Sequence, residues 1–254
     1  MGKKAKAPGK ENKPSGKEKK LAKKAAAERA QAQDAALEAA YGMGSPVAAL
    51  PALGTYERNG ASLAVEAAAP AGLSAHDRAS VMALLEANMG PIYGPRDWPQ
   101  GRRDKEKEMM EEDARYLLCF EKGNEGESDR RLEAFVHYRF VVEEEVEVLY
   151  IYELQIAPTS QRKGVGKFLM TAVELWARKA GMRGVMLTVQ KANRGGAAFY
   201  ERLKYDVAPI SPSRTDPLAG PEEYNYEIMS KVWDEGARET LMAQGEHARQ
   251  ENMS

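Results

Sequence analysis

The chain has 254 residues, of which 43% are hydrophobic and 30% charged. That balance is expected of a globular protein with one domain of catalytic size and polar appendages, and no apolar run approaches the roughly 20 residues a membrane-spanning helix needs, so no membrane association is expected. A single cysteine, Cys119, excludes an internal disulfide and agrees with a reducing compartment, and the lysine-rich start has no apolar stretch behind it to make a secretory signal.

The net charge of −1 is unevenly spread. Lysines at 3, 4, 6, 10, 13, 17, 19, 20, 23 and 24 crowd the first segment against only Glu11 and Glu18, so the remainder is acidic. A basic arm on an acidic body suits contact of the arm with a polyanion, such as nucleic acid or a ribosome, and of the body with a cationic substrate. A solubilising tail is the plain alternative. Met1-Gly2 opens like a myristoylation signal, but Lys6 stands where Ser or Thr is needed, so no lipid is expected. Lys17 to Lys24 has the composition of a nuclear import signal.

Residues 1–24 carry Pro8 and Pro14 without hydrophobic periodicity and are expected to be disordered. Alanine and charge from Ala25 to Tyr41 favour a helix, ended by Gly42 to Pro46, so residues 25–45 form an N-terminal helical segment. The folded domain is placed at 56–233. Ser62 to Ala68 reads as a strand, and Ser74 caps a helix to about Asn88. A proline- and glycine-rich loop from Gly90 to Arg102 carries Tyr93 and Trp98, and Asp104 to Glu112 is a short charged helix. Arg115 to Glu121 and Leu132 to Val142 are strands joined by a turn at 123–128.

Val146 to Ile156 is a covered central strand. Strict alternation puts Val146, Val148, Tyr150, Tyr152, Leu154 and Ile156 on one face and Glu147, Leu149, Ile151, Glu153 and Gln155 on the other. A helix from Gly164 to Ala180, a strand from Gly184 to Gln190, a helix from Gly195 to Leu203 and a strand from Tyr224 to Val232 follow, and the polar, alanine-rich segment over 234–254 reads as a helix or a frayed tail. Antiparallel strands followed by strand–helix–strand make an α+β domain, a mixed α/β sheet that is mostly antiparallel with one parallel unit.

Between a strand and a helix lies Gln161-Arg-Lys-Gly-Val-Gly166. Two glycines let backbone N–H groups converge, the helix adds the positive end of its dipole, and Arg162, Lys163 and Lys167 add charge, as a pyrophosphate requires. A plain capping turn has the same pattern. A Rossmann site needs three spaced glycines in an early βα unit, which are missing.

The turn Gln161, Gly164, Gly166, together with Asn193, Ala197 and Phe199-Tyr-Glu-Arg-Leu-Lys-Tyr205, resembles the coenzyme A motifs of the GNAT acetyltransferases. More specifically, Leu149-Tyr-Ile-Tyr-Glu-Leu-Gln155, Val185-Met-Leu-Thr-Val189, Ser211-Pro-Ser213 and Tyr226-Glu-Ile are similar to the NatD group, as are the Tyr93 to Trp98 loop and Asp104-Lys-Glu-Lys107. The resemblance implies a GNAT fold. It also implies an acetyl-CoA-dependent enzyme that acetylates the N-terminal amine of histone 4 and histone 2A, which begin Ser-Gly-Arg-Gly, in the cytoplasm and nucleus, and acts as a monomer. Carried over by position, Leu154, Gln155, Ile156, Arg162, Lys163, Gly164, Val165, Gly166, Lys167 and Asn193 hold acetyl-CoA. Tyr93, Trp98, Tyr152, Thr188 and Tyr226 line or close the peptide site. Two positions depart from the family: an acid is replaced by Val141, which moves its role to Glu143 or its neighbours, and a serine by Ile210, which leaves Ser211 as its substitute.

A free α-amine has a pKa of about 7.7–8, so a carboxylate acting through one water suffices as base. Glu153 is the expected base, with Tyr150 and Tyr152 ordering water or amine, and backbone N–H groups near Leu154 to Ile156 stabilising the oxyanion. Taken alone, Glu153 reads as an ion-paired strand residue and the two tyrosines as core. Tyr200 stands where a tyrosine protonates the leaving thiolate in many GNAT enzymes, but packing is its expected role; Cys119 is expected in the core, and His76, His137 and His247 have no metal-ligand spacing, so no metal is expected. Acetylation of a lysine side chain or a small amine, or a non-catalytic module that binds histone or ribosome, are the other readings; intact Gly164, Gly166, Asn193 and Glu153 oppose the last.

Overall fold

The computed structural model describes residues 15–123, 130–220 and 223–253; the arm expected at 1–14 and most of the turn expected at 123–128 lie outside the described residues. Eight strands form one sheet in the order β1-β2-β3-β4-β5-β6-β8-β7. These are β1 (Thr55–Arg58), β2 (Ala61–Ala68), β3 (Arg115–Glu121), β4 (Leu132–Glu143), β5 (Val146–Ile156), β6 (Gly184–Gln190), β7 (Asp206–Val207) and β8 (Tyr226–Val232). Neighbours are antiparallel except β5 and β6, which run parallel because helix α4 (Val165–Lys179) crosses between them. The mixed, mostly antiparallel sheet expected from the sequence is the one observed.

One face of the sheet is covered by α4 and by α1 (Gly16–Gly42), around Leu149, Ile151, Leu169, Val173 and Trp176. The short helices α2 (Pro46–Ala49) and α6 (Pro212–Thr215) and the helix α5 (Arg194–Arg202) complete the connections. The other face carries α3 (Ala75–Met109) over β3 and β4, and α7 (Glu235–Asn252) over β5 and β6.

Two expectations need correction here, and a third is decided. The helix α1 starts at Gly16 rather than at Ala25, so Lys17 to Lys24 are helical. Lys, Leu, Ala and Glu are all good helix formers, and nothing between Pro14 and Gly42 interrupts them. The segment from Gly90 to Arg102 is not a loop: it continues α3 across a kink at Gly94, whose φ of 80° only glycine adopts cheaply. Packing of Met89, Trp98 and Met109 into the core beneath overrides the turn-like composition. Of the two readings of the segment after Asp234, the helix is the one observed, and it is docked. Asp234 Oδ1 accepts from Ala237 N at 2.8 Å as its cap, and Ala237, Leu241 and Gly245 are buried. Burying Leu241 alone contributes about 2 kcal/mol to that docking.

Candidate active site

A break in the alternation of β5 builds the site. His137 of β4 pairs with Glu153, while the next residue, Tyr138, pairs with Ile151, so Tyr152 has no partner and forms a bulge. One extra residue flips the parity of everything after it. Leu154 and Ile156 therefore join Leu149 and Ile151 against α4, and not the Tyr150 face as strict alternation predicts. Glu153 and Gln155 turn to the α3 side, so Tyr150, Tyr152 and Glu153 meet along one cavity.

The second device is a splay. β5 and β6 pair only from Val148↔Gly184 to Ile151↔Leu187, although β5 runs on to Ile156 and β6 to Gln190. The opened wedge leads into a cavity of about 430 Å³ under α3, with Glu153, Leu154, Thr188, Asn193 and Tyr200 in its wall. Tyr150 Oη and Thr188 Oγ1 bridge the strands at 2.6 Å.

Glu153, only 7% exposed, is held at both oxygens. Lys105 Nζ lies 3.0 Å from Oε1, and Gln155 Nε2 donates to Oε2 at 2.8 Å. Asn88 of α3 orients that amide by donating to Gln155 Oε1 at 3.0 Å, and Lys105 also reaches Glu108 Oε1 at 2.9 Å. Burial pushes the Tyr150 phenol up to about 12 and raises Tyr152 and Tyr200 as well, so all three remain protonated donors at neutral pH. Burial also raises the Glu143 carboxyl, with the Glu144 charge adding to it. Beneath Tyr152, His137 stacks between its ring and that of Tyr116 at centroid distances of 5.0 and 5.2 Å.

Beyond the wedge, residues 161–167 turn into α4. Arg162 has φ 61° and Gly164, the N-cap, φ 89°, and among the described residues no side chain caps the first N–H groups of the helix. The turn is anchored from behind: Tyr56 Oη donates to Lys163 O at 2.6 Å and Asn59 Nδ2 at 2.9 Å. A Cβ on Gly164 would lie 2.6 Å from Tyr56 Oη, and one on Gly166 2.9 Å from Ile156 Cδ1, so a side chain at either position forces a neighbour to shift, most of all at Gly164 with its left-handed φ. Exposed Arg162 and Lys167 flank an uncapped helix start, which is the arrangement an anionic phosphate group fits.

Residues 81–205 match the family described as "Acetyltransferase (GNAT) family". Over that segment, just under half of its length, the chain is similar to the GNAT acetyltransferases, and the fold is theirs. Among solved structures, the chain is similar to a PaiA N-acetyltransferase from Thermoplasma acidophilum in complex with coenzyme A, with 18% identity over 67% of this chain and 99% of that one and a TM-score of 0.47. It is also similar to NAA60 from Arabidopsis thaliana in complex with a bisubstrate analogue, with 15% identity over 67% and 99% of the two chains and a TM-score of 0.47.

The GNAT domain does not bring all the expected residues to one place. Tyr93, Glu143, Tyr150, Tyr152, Glu153 and Thr188 border the cavity. Trp98 does not: it is buried, stacked on Tyr93 at 5.7 Å, and supports that ring from behind. Val141 packs toward the α7 core, and Ser211 is fully buried, donating to Glu227 Oε2 at 2.6 Å and accepting from Ile228 N at 2.9 Å. Ser211 is thereby a strand-end fastener with no hydroxyl left for a substrate. Tyr226 opens β8, ring to ring with Tyr224 and outside the cavity wall. Of the expected coenzyme residues, Leu154, Gln155 and Asn193 border the cavity, and Ile156, Arg162, Lys163, Gly164, Val165, Gly166 and Lys167 form the strand end and turn beyond it. The side chains of Gln155 and Val165 are committed elsewhere, to Glu153 and to the core, and Asn193 Oδ1 caps α5 by accepting from Gly196 N at 2.9 Å.

Sequence reasoning missed Asn88, Lys105 and Glu108. The i,i+3 spacing of Lys105 and Glu108 marks them as one helical face, but only the fold shows that this face looks at Glu153.

Proposed function

We propose that this GNAT domain acetylates the N-terminal α-amine of histone 4 and histone 2A, with acetyl-CoA as donor. The observation that carries the reading is the placement of Glu153 beside Tyr150 and Tyr152, produced by the bulge at Tyr152, in a cavity whose wall also holds Glu108 and Glu143. A carboxylate-rich cavity suits an amine followed by an arginine, as in Ser-Gly-Arg-Gly. The resemblance of β5, β6 and the segment around Tyr93 to the NatD group supports the same substrate.

The uncapped start of α4, with Arg162, Lys163 and Lys167, would hold the pyrophosphate of the donor, and the wedge between β5 and β6 would admit its pantetheine arm. When bound, acetyl-CoA would supply a thioester as acyl donor: the amine nitrogen would bond to its carbonyl carbon, the carbon–sulfur bond would break, and coenzyme A would leave as the thiolate, to be protonated by the proton that Glu153 takes from the amine. Glu153 accepts the amine proton through a water ordered by the Tyr150 and Tyr152 hydroxyls. The β5 backbone past Ile151, which β6 leaves unpaired, supplies N–H donors for the carbonyl oxygen. Tyr200, protonated and in the cavity wall, packs against the donor's end of the wedge.

The lysine-rich segment entering α1 is assigned to a polyanionic partner, ribosome or nucleic acid, and the enzyme to cytoplasm and nucleus as a monomer.

The test is mass spectrometry of three peptides incubated with the protein and acetyl-CoA: one beginning Ser-Gly-Arg-Gly-Lys, the same sequence with a blocked N-terminus, and one with an unrelated start. Acetylation of the first alone supports the proposal. Acetylation of the blocked peptide moves the domain to the lysine acetyltransferases, and turnover of none to another amine.

A further inference from the structure

The cavity contains a cation of its own, to which the acyl transfer proposed above assigns no chemical step. Lys105 Nζ bridges Glu153 Oε1 at 3.0 Å and Glu108 Oε1 at 2.9 Å, with its side chain 22% exposed. The charged and titratable groups around it are Glu108 and Tyr93 from α3, Glu153, Tyr150 and Tyr152 from β5, His137, Arg139 and Glu143 from β4, and Tyr200 from α5. Burial disfavours the Lys105 ammonium, but the Glu153 and Glu108 carboxylates more than restore it, so its pKa is raised and it stays charged.

An amine that reaches Glu153 must either displace Lys105 or sit beside it. Displacement breaks both ion pairs and strips a carboxylate that is only 7% exposed. Sitting beside a fixed ammonium favours the neutral form of the newcomer. We propose that Lys105 is a positioning residue that makes the cavity take its amine uncharged, selecting weakly basic N-terminal amines over lysine side chains. The inference rests on the α-amine reading above and names what enforces it. At pH 7 about a tenth of an α-amine is neutral, against roughly four in ten thousand for a lysine ε-amine. A resident cation raises the first to a substantial fraction and leaves the second negligible.

The experiment is the pH dependence of kcat and of kcat/KM for the Ser-Gly-Arg-Gly-Lys peptide, free and N-terminally blocked, with the full chain and three variants. Because kcat reports the bound complex and kcat/KM the free reactants, the effect belongs in kcat. Wild type has a kcat midpoint below that of the free amine. Lys105→Met, which leaves two carboxylates facing the amine, moves it up by about one pH unit, a roughly tenfold loss at pH 7 that is recovered by pH 9. Lys105→Arg restores the wild-type profile. Glu108→Gln, which leaves Lys105 charged with one carboxylate fewer, moves the midpoint down; this variant decides the matter if Lys105→Met does not fold. A lowered plateau without a shift in Lys105→Met, or no downward shift in Glu108→Gln, overturns the proposal while leaving the α-amine substrate intact. Acetylation of the blocked peptide as fast as the free one at pH 7 also overturns it. Turnover of neither peptide by wild type removes the α-amine reading itself, and this inference with it.

Discussion

Lys105 Nζ and Glu153 Oε1, 3.0 Å apart, tie the second half of α3 to the bulge in β5. Through this contact the helix both closes the cavity and fixes the carboxylate proposed as base. Gln155 and Asn88 hold the other oxygen, so the group is presented in one orientation.

Replacing Glu153 with Gln keeps the shape and the partnership with Gln155 but removes proton acceptance. The expected result is a fall in kcat of about 10²–10⁴-fold, the range for loss of a positioned general base, with acetyl-CoA affinity nearly unchanged. Steady-state kinetics and calorimetry read the two quantities separately. Full activity across the pH range would remove Glu153 from the base role.

Gly164→Ala tests the turn. The residue has φ 89° and its added Cβ meets Tyr56 Oη at 2.6 Å. Backbone strain of that kind costs about 1–3 kcal/mol, and the displaced turn no longer points its N–H groups together. The melting temperature falls and the Kd for acetyl-CoA rises about tenfold or more, since tenfold is only 1.4 kcal/mol of lost binding. Gly166→Ala is milder, because its nearest neighbour is the movable end of Ile156.

His137 links the site to acid stability. Burial, helped by Arg139 and Lys105, pushes it from 6.5 down to about 3. The folded value lies below the unfolded one, so between those limits the unfolded chain binds the extra proton. The stabilisation is whole above pH 6.5 and declines by about 1.4 kcal/mol per pH unit as pH falls through the window. Urea midpoints between pH 7 and 4 show a slope that His137→Phe, which cannot titrate, reduces. An unchanged slope in the variant contradicts this.

Tyr41 joins α1 to the sheet. Its hydroxyl donates to Phe140 O at 3.1 Å and accepts from Phe140 N at 3.0 Å, beyond Tyr138, where β3 no longer pairs with β4. Tyr41→Phe leaves both backbone groups without that partner and costs about 1–3 kcal/mol. Chemical denaturation measures the loss, and hydrogen exchange places it at Phe140.

Much of this was readable from residues. The strands β3, β5 and β6 stand where alternation and apolar runs predict them, and the Gly164 turn announced its helix start. The bulge was not legible, because alternation assumes a partner for every residue and only the pairing with β4 leaves Tyr152 out. For the same reason strict alternation puts Glu153 on the α4 face with Leu149 and Ile151, whereas the bulge turns it to the α3 side. The α3 continuation past Gly94 was hidden by prolines and glycines that argue for a loop in isolation, and the docking of α7 depends on a buried Gly245 whose role lies in its closeness to Pro209. Ser211 shows the reverse error: position in a resemblance suggested a substrate contact, whereas burial gives it a structural bond to Glu227.

The most direct measurement is tandem mass spectrometry of a single peptide, Ser-Gly-Arg-Gly-Lys, that offers an α-amine and a lysine to the enzyme at once with limiting acetyl-CoA. The predicted result is one acetyl group, located on the N-terminal serine nitrogen, and its loss in the Glu153→Gln variant. An acetyl group on the lysine side chain with the N-terminus left free would contradict the proposed function.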